Sequence, residues 1–537
     1  GLIGLAINIK NMKSLLILFL FFSAGISISS QDFVKGVVYN DLNGNQMRDK
    51  DEPGIFQVPV SNGADVVLTD ENGEYTLPLS QDDIIFVIKP AGYSTPFNEQ
   101  NLPLFYYIHK PLGSPGLNYR GVDPTGMIPE SVDFALYPVP GVNQFDVLLF
   151  GDPQPYSKEE LEFFDQRIVS ELSSATNFSF GISMGDLSGD NPDLFEPYNE
   201  IIRNVGIPWY NVIGNHDMNF DVSADSLSDE SFERVFGPSS YSFNMGKAHF
   251  IILKNILRPD PRNPANKGYW GGFTEKQFTF VENDLKYVPE DHLIVLSFHI
   301  PIWEGYVDRD IFRDADRERL FSLLEDYPYT LSISAHSHIQ NNKLMNKEHG
   351  WTQDKPHHHF NIGTTCGSWY RGELDSLGIP FSVMADGTPQ GYALLRIDNN
   401  RYNITYKAAG HDMDYQMNIY HPKVMGHAKK SLSNIYVNFF MGNENDEVMF
   451  RVDKNEWIPM SYTIEFDPSY LHRLHQWDFT NKVIPGRRPV EARQCSHLWK
   501  ALLPSDLDIG EHSVEIKVKD MFGNLHYGKS AYRIALP

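Results

Sequence analysis

Apolar runs of strand length alternate with amphipathic stretches through the middle of the chain. Phe145 to Phe150 reads as a buried strand and is followed by Gly151-Asp152-Pro153-Gln154. Ser157 then suits an N-cap, with Glu160 three residues on and Leu161, Phe164, Ile168 and Leu172 along one helical face. Phe178 to Met184 predicts the next strand, ending in Gly185-Asp186, and Asp193 to Asn204 predicts a second helix. Ile207 to Ile213 predicts a third strand that runs into Gly214-Asn215-His216-Asp217. Strand, helix, strand, helix, strand is the order of a parallel sheet with helical crossovers. All three polar motifs then leave one carboxyl edge, where open α/β sheets hold their ligands.

Two later strands repeat the arrangement. Leu293 to Phe298 ends in His299-Ile-Pro301, and Thr330 to Ser334 ends in Ala335-His336-Ser337-His338, with a helix expected over Ile311 to Glu325. The run His357-His358-His359 invites a metal reading, but strand alternation puts His358 on one face and its neighbours on the other.

The flanks have a shorter period. From about Asp32 to Pro138, alternating stretches are separated by Gly, Asn, Asp and Pro, the mark of a small all-β domain. Its first turn places Asp41, Asn43, Asn45, Asp49 and Glu52 at EF-loop ligand positions, with Met47 at the position that offers its carbonyl, and Gln46 where glycine is usual. A stabilising calcium ion and a solvated Asn/Asp turn are the two readings of this loop. From about Arg401 onward short strands return, and Val514, Ile516 and Val518 alternate with charged residues before an Asp520 to Asn524 hairpin turn. This predicts an immunoglobulin-like sandwich.

The expected architecture is therefore α+β and multidomain. A leader and signal peptide occupy residues 1–30, an amino-terminal β-sandwich 31–140, a central domain 141–400 and a carboxyl-terminal β-sandwich 401–537. The export reading rests on Met12, Lys13, the apolar run to Ile28 and the small exit at Ser29-Ser30-Gln31. It implies a periplasmic, cell-surface or extracellular protein, with no membrane span once the leader is removed.

Composition narrows the partners. A formal net charge of −24 argues against a nucleic-acid surface, which needs clustered Lys and Arg, so an anionic ligand requires a locally positive site. Two cysteines, Cys366 and Cys495, exclude a disulfide framework. The sequence does not set an oligomeric state.

The ordered set Gly151-Asp152-x-Gln154, Gly185-Asp186, Gly214-Asn215-His216-Asp217, His299 and Ala335-His336-x-His338 resembles the calcineurin-like metallophosphoesterases. Further stretches, Phe236 to Phe243, His249 to Leu253 and Gly367-Ser-Trp369, resemble a secreted bacterial subgroup with flanking β domains. The amino-terminal loop is similar to those of Cna-B-like and SdrD-type surface repeats. The resemblance implies two packed β-sheets with helices outside. It also implies a metal-dependent phosphoric ester hydrolase acting on phosphomonoesters or phosphodiesters through a metal-bridging hydroxide.

Carried over by residue, the resemblance implies Asp186 as the carboxylate shared by two metals. Asp152 and His338 complete the first site, with Gln154, a further candidate ligand, standing where many members have a metal-binding His, and Asn215, His299 and His336 the second. Carboxylate, amide and imidazole donors without thiolate suit Mn, Fe or Zn. His216 is implied as the group that meets the phosphate and protonates the leaving oxygen, with Asp217 orienting its ring. Asn215, His216, Trp369, Tyr370 and Arg371 are candidates for substrate contact. Lys254 is read as a phosphate contact or an ion-paired lysine. The rival reading is a surface adhesion or glycan-binding protein around an inactive phosphoesterase-like core.

Overall fold

The computed structural model describes residues 32–173, 177–304 and 310–536. The leader and signal peptide expected over residues 1–30 lie outside the described residues.

Two β-sheets form the centre. The first is ordered Trp209–Asn211, Phe180–Ser183, Gln144–Phe150, Gly391–Asp398, Arg401–Ala408. Its first three strands are parallel, as the β-α-β-α-β pattern requires, and the last two close it antiparallel. The second sheet is ordered Tyr241–Met245, Ala248–Ile252, Leu293–Ser297, Thr330–Ser334, His357–Asn361, Asn341–Met345. Its four inner strands are parallel. Leu293–Ser297 is buried throughout and almost wholly apolar, which is why it reads so plainly in the sequence, whereas the equally buried Thr330–Ser334 and His357–Asn361 carry Ser, His and Asn side chains that bond one another.

Aromatic rings fill the space between the sheets. Phe243 stacks on Tyr210 with centroids 4.1 Å apart and on Phe250 at 5.0 Å, and Phe180 meets Phe250 edge-on at 5.2 Å. On the outer face of the first sheet, Phe164 of the helix Lys158–Arg167 packs against Phe150 and against Tyr198 of the helix Phe195–Ile202. Ser157 caps the first of these helices by accepting from the Glu160 N–H at 3.2 Å. That helix stops at Arg167, and the next turn is a 3₁₀ turn over Val169–Glu171, still leaving Ile168 and Leu172 buried. The second helix is shorter than the apolar pattern implies, because Pro192–Leu194 and Arg203–Val205 wind as tighter 3₁₀ turns at its ends.

The amino-terminal segment forms two four-stranded sheets. They dock onto the core through Phe86 against Phe280 and Phe105 against Tyr241, and Lys89 Nζ donates to the Asn244 carbonyl at 2.6 Å. The carboxyl-terminal segment forms a four-stranded and a five-stranded sheet. Two expectations need correction here. The strand Arg401–Ala408 pairs along its whole length with Gly391–Asp398 and so belongs to the core sheet, which moves the start of the last unit beyond residue 400. That unit is also not purely β, since Pro468–Asp478 is a helix capped by Asp467.

Candidate metal centre

The strand-end motifs converge. Asp186 follows Phe180–Ser183, His299 follows Leu293–Ser297, and His336 follows Thr330–Ser334. One ligand atom from each lies within 4.8 Å of the others. His299 Nε2 is 3.2 Å from Asp186 Oδ2, 3.1 Å from Asn215 Oδ1 and 3.2 Å from His336 Nδ1. Donors about 2.1 Å from one ion stand about 3.0 Å apart at right angles and about 3.4 Å at tetrahedral angles, so these spacings suit a shared cation. Beside them, His338 Nε2 is 3.1 Å from Asp152 Oδ2, and Asp152 Oδ1 accepts from the His336 N–H at 3.1 Å. Gln154 joins through its N–H to the Asp186 carbonyl at 2.8 Å, and its Oε1 is buried without a hydrogen-bond partner. All seven candidate ligands therefore lie in one cluster.

Local backbone geometry makes the convergence possible. Asp152, Gln154, Asp186, His336 and His338 all have positive φ, between 27° and 68°. Such conformations are uncommon outside glycine and gather at functional sites, where surrounding structure holds them. Gly185 and Gly214 supply close approach. A Cβ on Gly185 falls 2.5 Å from His299 Nδ1, and one on Gly214 falls 2.0 Å from the Asp186 nitrogen.

Hydrogen bonds outside the cluster aim the imidazoles. His299 Nδ1 donates to the Met184 carbonyl at 2.8 Å, and His338 Nδ1 to the Gly367 carbonyl at 3.0 Å. Each bond leaves Nε2 with its lone pair facing the carboxylates, the orientation that ligating histidines adopt. Burial disfavours the His299 imidazolium, but the Asp186 carboxylate outweighs it and raises the His299 pKa to about 9. Burial likewise opposes the Asp186 charge, and His299 and His216 overcome this to hold its pKa well below the usual carboxylate range. His336 is pushed the other way, far down, by burial and by the neighbouring His299 charge. A site that holds opposite charges so close together, with an amide oxygen left over, fits hard or borderline cations with O and N donors.

His216 sits on a 3₁₀ turn over Asn215–Asp217. Its backbone N–H donates to Asp186 Oδ1 at 2.9 Å, and its Nδ1 lies 2.7 Å from Asp190 Oδ1. Burial lowers its pKa, and Asp186 and Asp190 together raise it above the ordinary value. The expectation that Asp217 orients this ring is wrong. Asp217 is fully buried and accepts from the backbone N–H groups of Leu187, Ser188 and Gly214, tying the two motif loops together. Asp190 is the ring's partner, while Asn191 does the capping by accepting from the Asp193 N–H.

Three family models match the chain: "N terminal of Calcineurin-like phosphoesterase" over residues 41–117, "Calcineurin-like phosphoesterase" over 145–340 and "C terminal of Calcineurin-like phosphoesterase" over 359–526. The chain belongs to the calcineurin-like phosphoesterases. A curated relative, the probable glycerophosphodiester phosphodiesterase GpdQ of Arcobacter nitrofigilis, is 25% identical over 182 residues, 33% of this chain and 63% of that protein. The chain thus matches less than two thirds of that relative's length. Among solved structures, a dimetal phosphatase from Danio rerio is 14% identical at a TM-score of 0.33, covering 49% of this chain and 96% of that one. The purple acid phosphatase PPD1 of yellow lupin, Lupinus luteus, is 12% identical at a TM-score of 0.36, covering 65% and 66%.

The remaining candidates in this phosphoesterase chain divide. Trp369 stacks on His338 at 4.0 Å, and Tyr156, 43% exposed, meets His216 edge-on at 6.1 Å, so both border the cluster. Tyr370 does not form a substrate wall: it is buried and its hydroxyl donates to the Pro153 carbonyl. Arg371 Nη1 reaches the Arg488 carbonyl at 3.4 Å. Lys254 is buried and bonded to Asp225 and Ser228. Asp41, Asn43, Asn45, Asp49 and Glu52 do come together, but the loop closes on itself. Asp41 accepts from the Gly44, Asn45 and Gln46 N–H groups, and Glu52 from Leu42 and Asp49. Asn43 and Asn45 both donate to Asp49, and Met47 is exposed. Cys366 and Cys495 are free and buried. A cavity of about 370 Å³ lies elsewhere, between Phe86 of the amino-terminal sheets and Asp229, Glu233 and Lys254 of the core.

Two residues that the sequence did not single out hold the site from the carboxyl-terminal unit. Arg493 donates to the Ser337 carbonyl, between the two histidines, and to Glu304 Oε1 at 2.8 Å. Arg487 donates to Glu160 Oε1 at 2.6 Å and to the Trp369 carbonyl at 2.9 Å. No motif marks either one, because each acts across more than a hundred residues of chain.

Proposed function

We propose that this chain is an exported dinuclear-metal phosphoesterase that hydrolyses phosphomonoester or phosphodiester bonds. The observation that carries the reading is the convergence of Asp186, His299 and His336 on one point, with Asn215, Asp152, His338 and the unpartnered Gln154 oxygen around it. Asp152, Gln154, Asp186 and His338 would hold one ion, and Asp186, Asn215, His299 and His336 the other, with Mn, Fe or Zn the metals this donor set suits. When bound, such a pair supplies Lewis-acid charge to the phosphoryl oxygens and activates the attacking water.

The chain's own groups do the rest. Asn215 Nδ2 stands beside its ligating oxygen as a donor for a phosphoryl oxygen. His216, whose charged form Asp186 and Asp190 favour against burial, would donate to the phosphate and pass its proton to the leaving oxygen. Trp369, stacked on His338, and Tyr156, edge-on to His216, border the cluster. Export rests on the Met12 to Gln31 leader pattern alone. Among the described residues no helix is long and apolar enough to cross a membrane.

The test is a substrate screen of metal-reconstituted protein covering phosphomonoesters, glycerophosphodiesters and pyrophosphates. Turnover that chelator removes, and that His299→Ala loses together with bound metal, is the expected result. Metal-loaded protein with an intact fold and no phosphoester turnover overturns the reading.

A further inference from the structure

Arg258 is 8% exposed, yet its guanidinium has no carboxylate or carbonyl partner among the described residues. Its Nε is buried without an acceptor. Two acids in its surroundings, Asp225 and Asp190, are committed elsewhere. Asp225 takes the Arg258 backbone N–H at 2.8 Å and the Lys254 ammonium at 3.2 Å, and Asp190 takes the His216 ring. In a chain with 69 Asp and Glu against 45 Lys and Arg, an arginine this buried without an acid is out of place, since buried charges are ordinarily paired.

Its position explains what it waits for. The guanidinium carbon lies 4.5 Å from the centroid of Phe220 and 5.8 Å from that of Tyr269. Phe220 follows the Gly214 to Asp217 motif by a few residues, and Tyr269 meets the His336 ring edge-on at 6.0 Å. Both rings are partly exposed. Arg258 thus lies over two aromatic rings, one of which, Tyr269, meets the His336 ring of the cluster. Ring faces hold a guanidinium plane by cation–π attraction while leaving its N–H edge free, and that edge matches a carboxylate or phosphate in two parallel bonds.

We propose that Arg258 forms a second anion subsite, which selects phosphoesters carrying a further carboxylate or phosphate on the leaving-group side of the scissile bond. The proposal rests on the phosphoesterase reading of the neighbouring cluster. A substrate with one anionic group fills the metal side only. A substrate with two also provides the acceptor that Arg258 lacks.

The experiment compares 4-carboxyphenyl phosphate with its uncharged methyl ester, using metal-loaded wild type, Arg258→Gln and Arg258→Lys. Leaving-group electronics affect each compound alike in every protein, so the informative quantity is how the substitution changes the ratio of kcat/KM between the pair. Arg258→Gln is expected to cut the relative preference for the charged compound by about tenfold or more, as removal of a bidentate charged contact does. Arg258→Lys retains part of the preference through charge alone. Equal effects of Arg258→Gln on both compounds, with thermal melting showing an intact fold, overturn the subsite. If wild type turns over neither compound, only the monoesterase arm of the phosphoesterase reading fails, and calorimetric binding of the same pair decides the subsite. A preference for the charged compound that Arg258→Gln abolishes supports it, and binding without preference overturns it.

Discussion

Asp190 Oδ1 stands 2.7 Å from His216 Nδ1, whereas Asp217, next to that histidine in sequence, turns both carboxylate oxygens to backbone N–H groups of its own turn and of the loop after Asp186. Neighbours in the chain are separated in function by the 3₁₀ turn that carries them. Asp190 keeps the ring in place and favours its charged form, and Asp217 holds the loops that present Asp186 and Asn215.

This division predicts different outcomes at the three positions. His216→Ala is expected to lower turnover about a hundredfold with metal content unchanged, the cost of losing a general acid. Asp190→Asn is expected to cost about tenfold, again with metal retained. Asp217→Ala leaves buried N–H donors unpaired at about 1–3 kcal/mol each and should reduce stability and bound metal together. Turnover, metal analysis and thermal melting on the same preparations separate the three. Full activity in Asp190→Asn would remove Asp190 from the mechanism.

Gln154 offers a buried amide oxygen that no protein group satisfies. Gln154→Ala is therefore expected to weaken one of two metal equivalents by about tenfold and leave the other, since His299, His336 and Asn215 are untouched. Metal titration followed by calorimetry reads this directly. Two unchanged binding steps would show that Gln154 is not a ligand.

Arg493 tethers the loop between His336 and His338 from a separate unit of the chain. Arg493→Ala also leaves Glu304, 6% exposed at its side chain, without its cation. Loss of charged hydrogen bonds of this kind costs about 1.5–3 kcal/mol, and turnover should fall with it. Arg493→Lys should restore part of both. A variant as stable and active as wild type would show that the carboxyl-terminal unit does not support the site through this contact.

The histidine run in the strand His357–Asn361 sets an acid limit on stability. His357 and His359 lie on one face, bonded to Thr330, Ser332 and Ser334, and His358 lies on the other, bonded to Asn342 and Tyr402. Burial lowers the pKa of all three, to about 3 for His358 and His359. Each is depressed below the 6.5 of an ordinary histidine, so the folded chain binds fewer protons than the unfolded one below that pH. Their contribution is complete above about pH 6.5 and is lost as pH falls toward about 3. In metal-free protein, His358→Gln should lower melting temperature at neutral pH but flatten its decline between pH 6.5 and 4. Parallel curves for variant and wild type would assign the acid lability to other groups.

The sequence alone determined the parallel strands and the order of the ligand motifs. A strand covered on both faces tends to a continuous apolar run, as in Val147 to Phe150 and Leu293 to Leu296, and the polar and glycine residues that follow it stand out, so these motifs announced themselves. The alternation of His357 to His359 was legible for the same reason, since the side-chain period of a strand is two. Tertiary structure decided everything that depended on which loop lies beside which. Arg258 and Arg493 have the same local sequence signal as any surface Arg, and the sequence around Asp190 and Asp217 does not say which of the two meets the His216 ring. Only the packing of two sheets and a carboxyl-terminal unit around one edge sets which of them meets a ring, a backbone amide, an aromatic slot or a ligand loop. The strand Arg401–Ala408 makes the same point at the scale of the fold. Its pattern reads as one more short strand, and its hydrogen bonds to Gly391–Asp398, which no periodicity encodes, place it in the core.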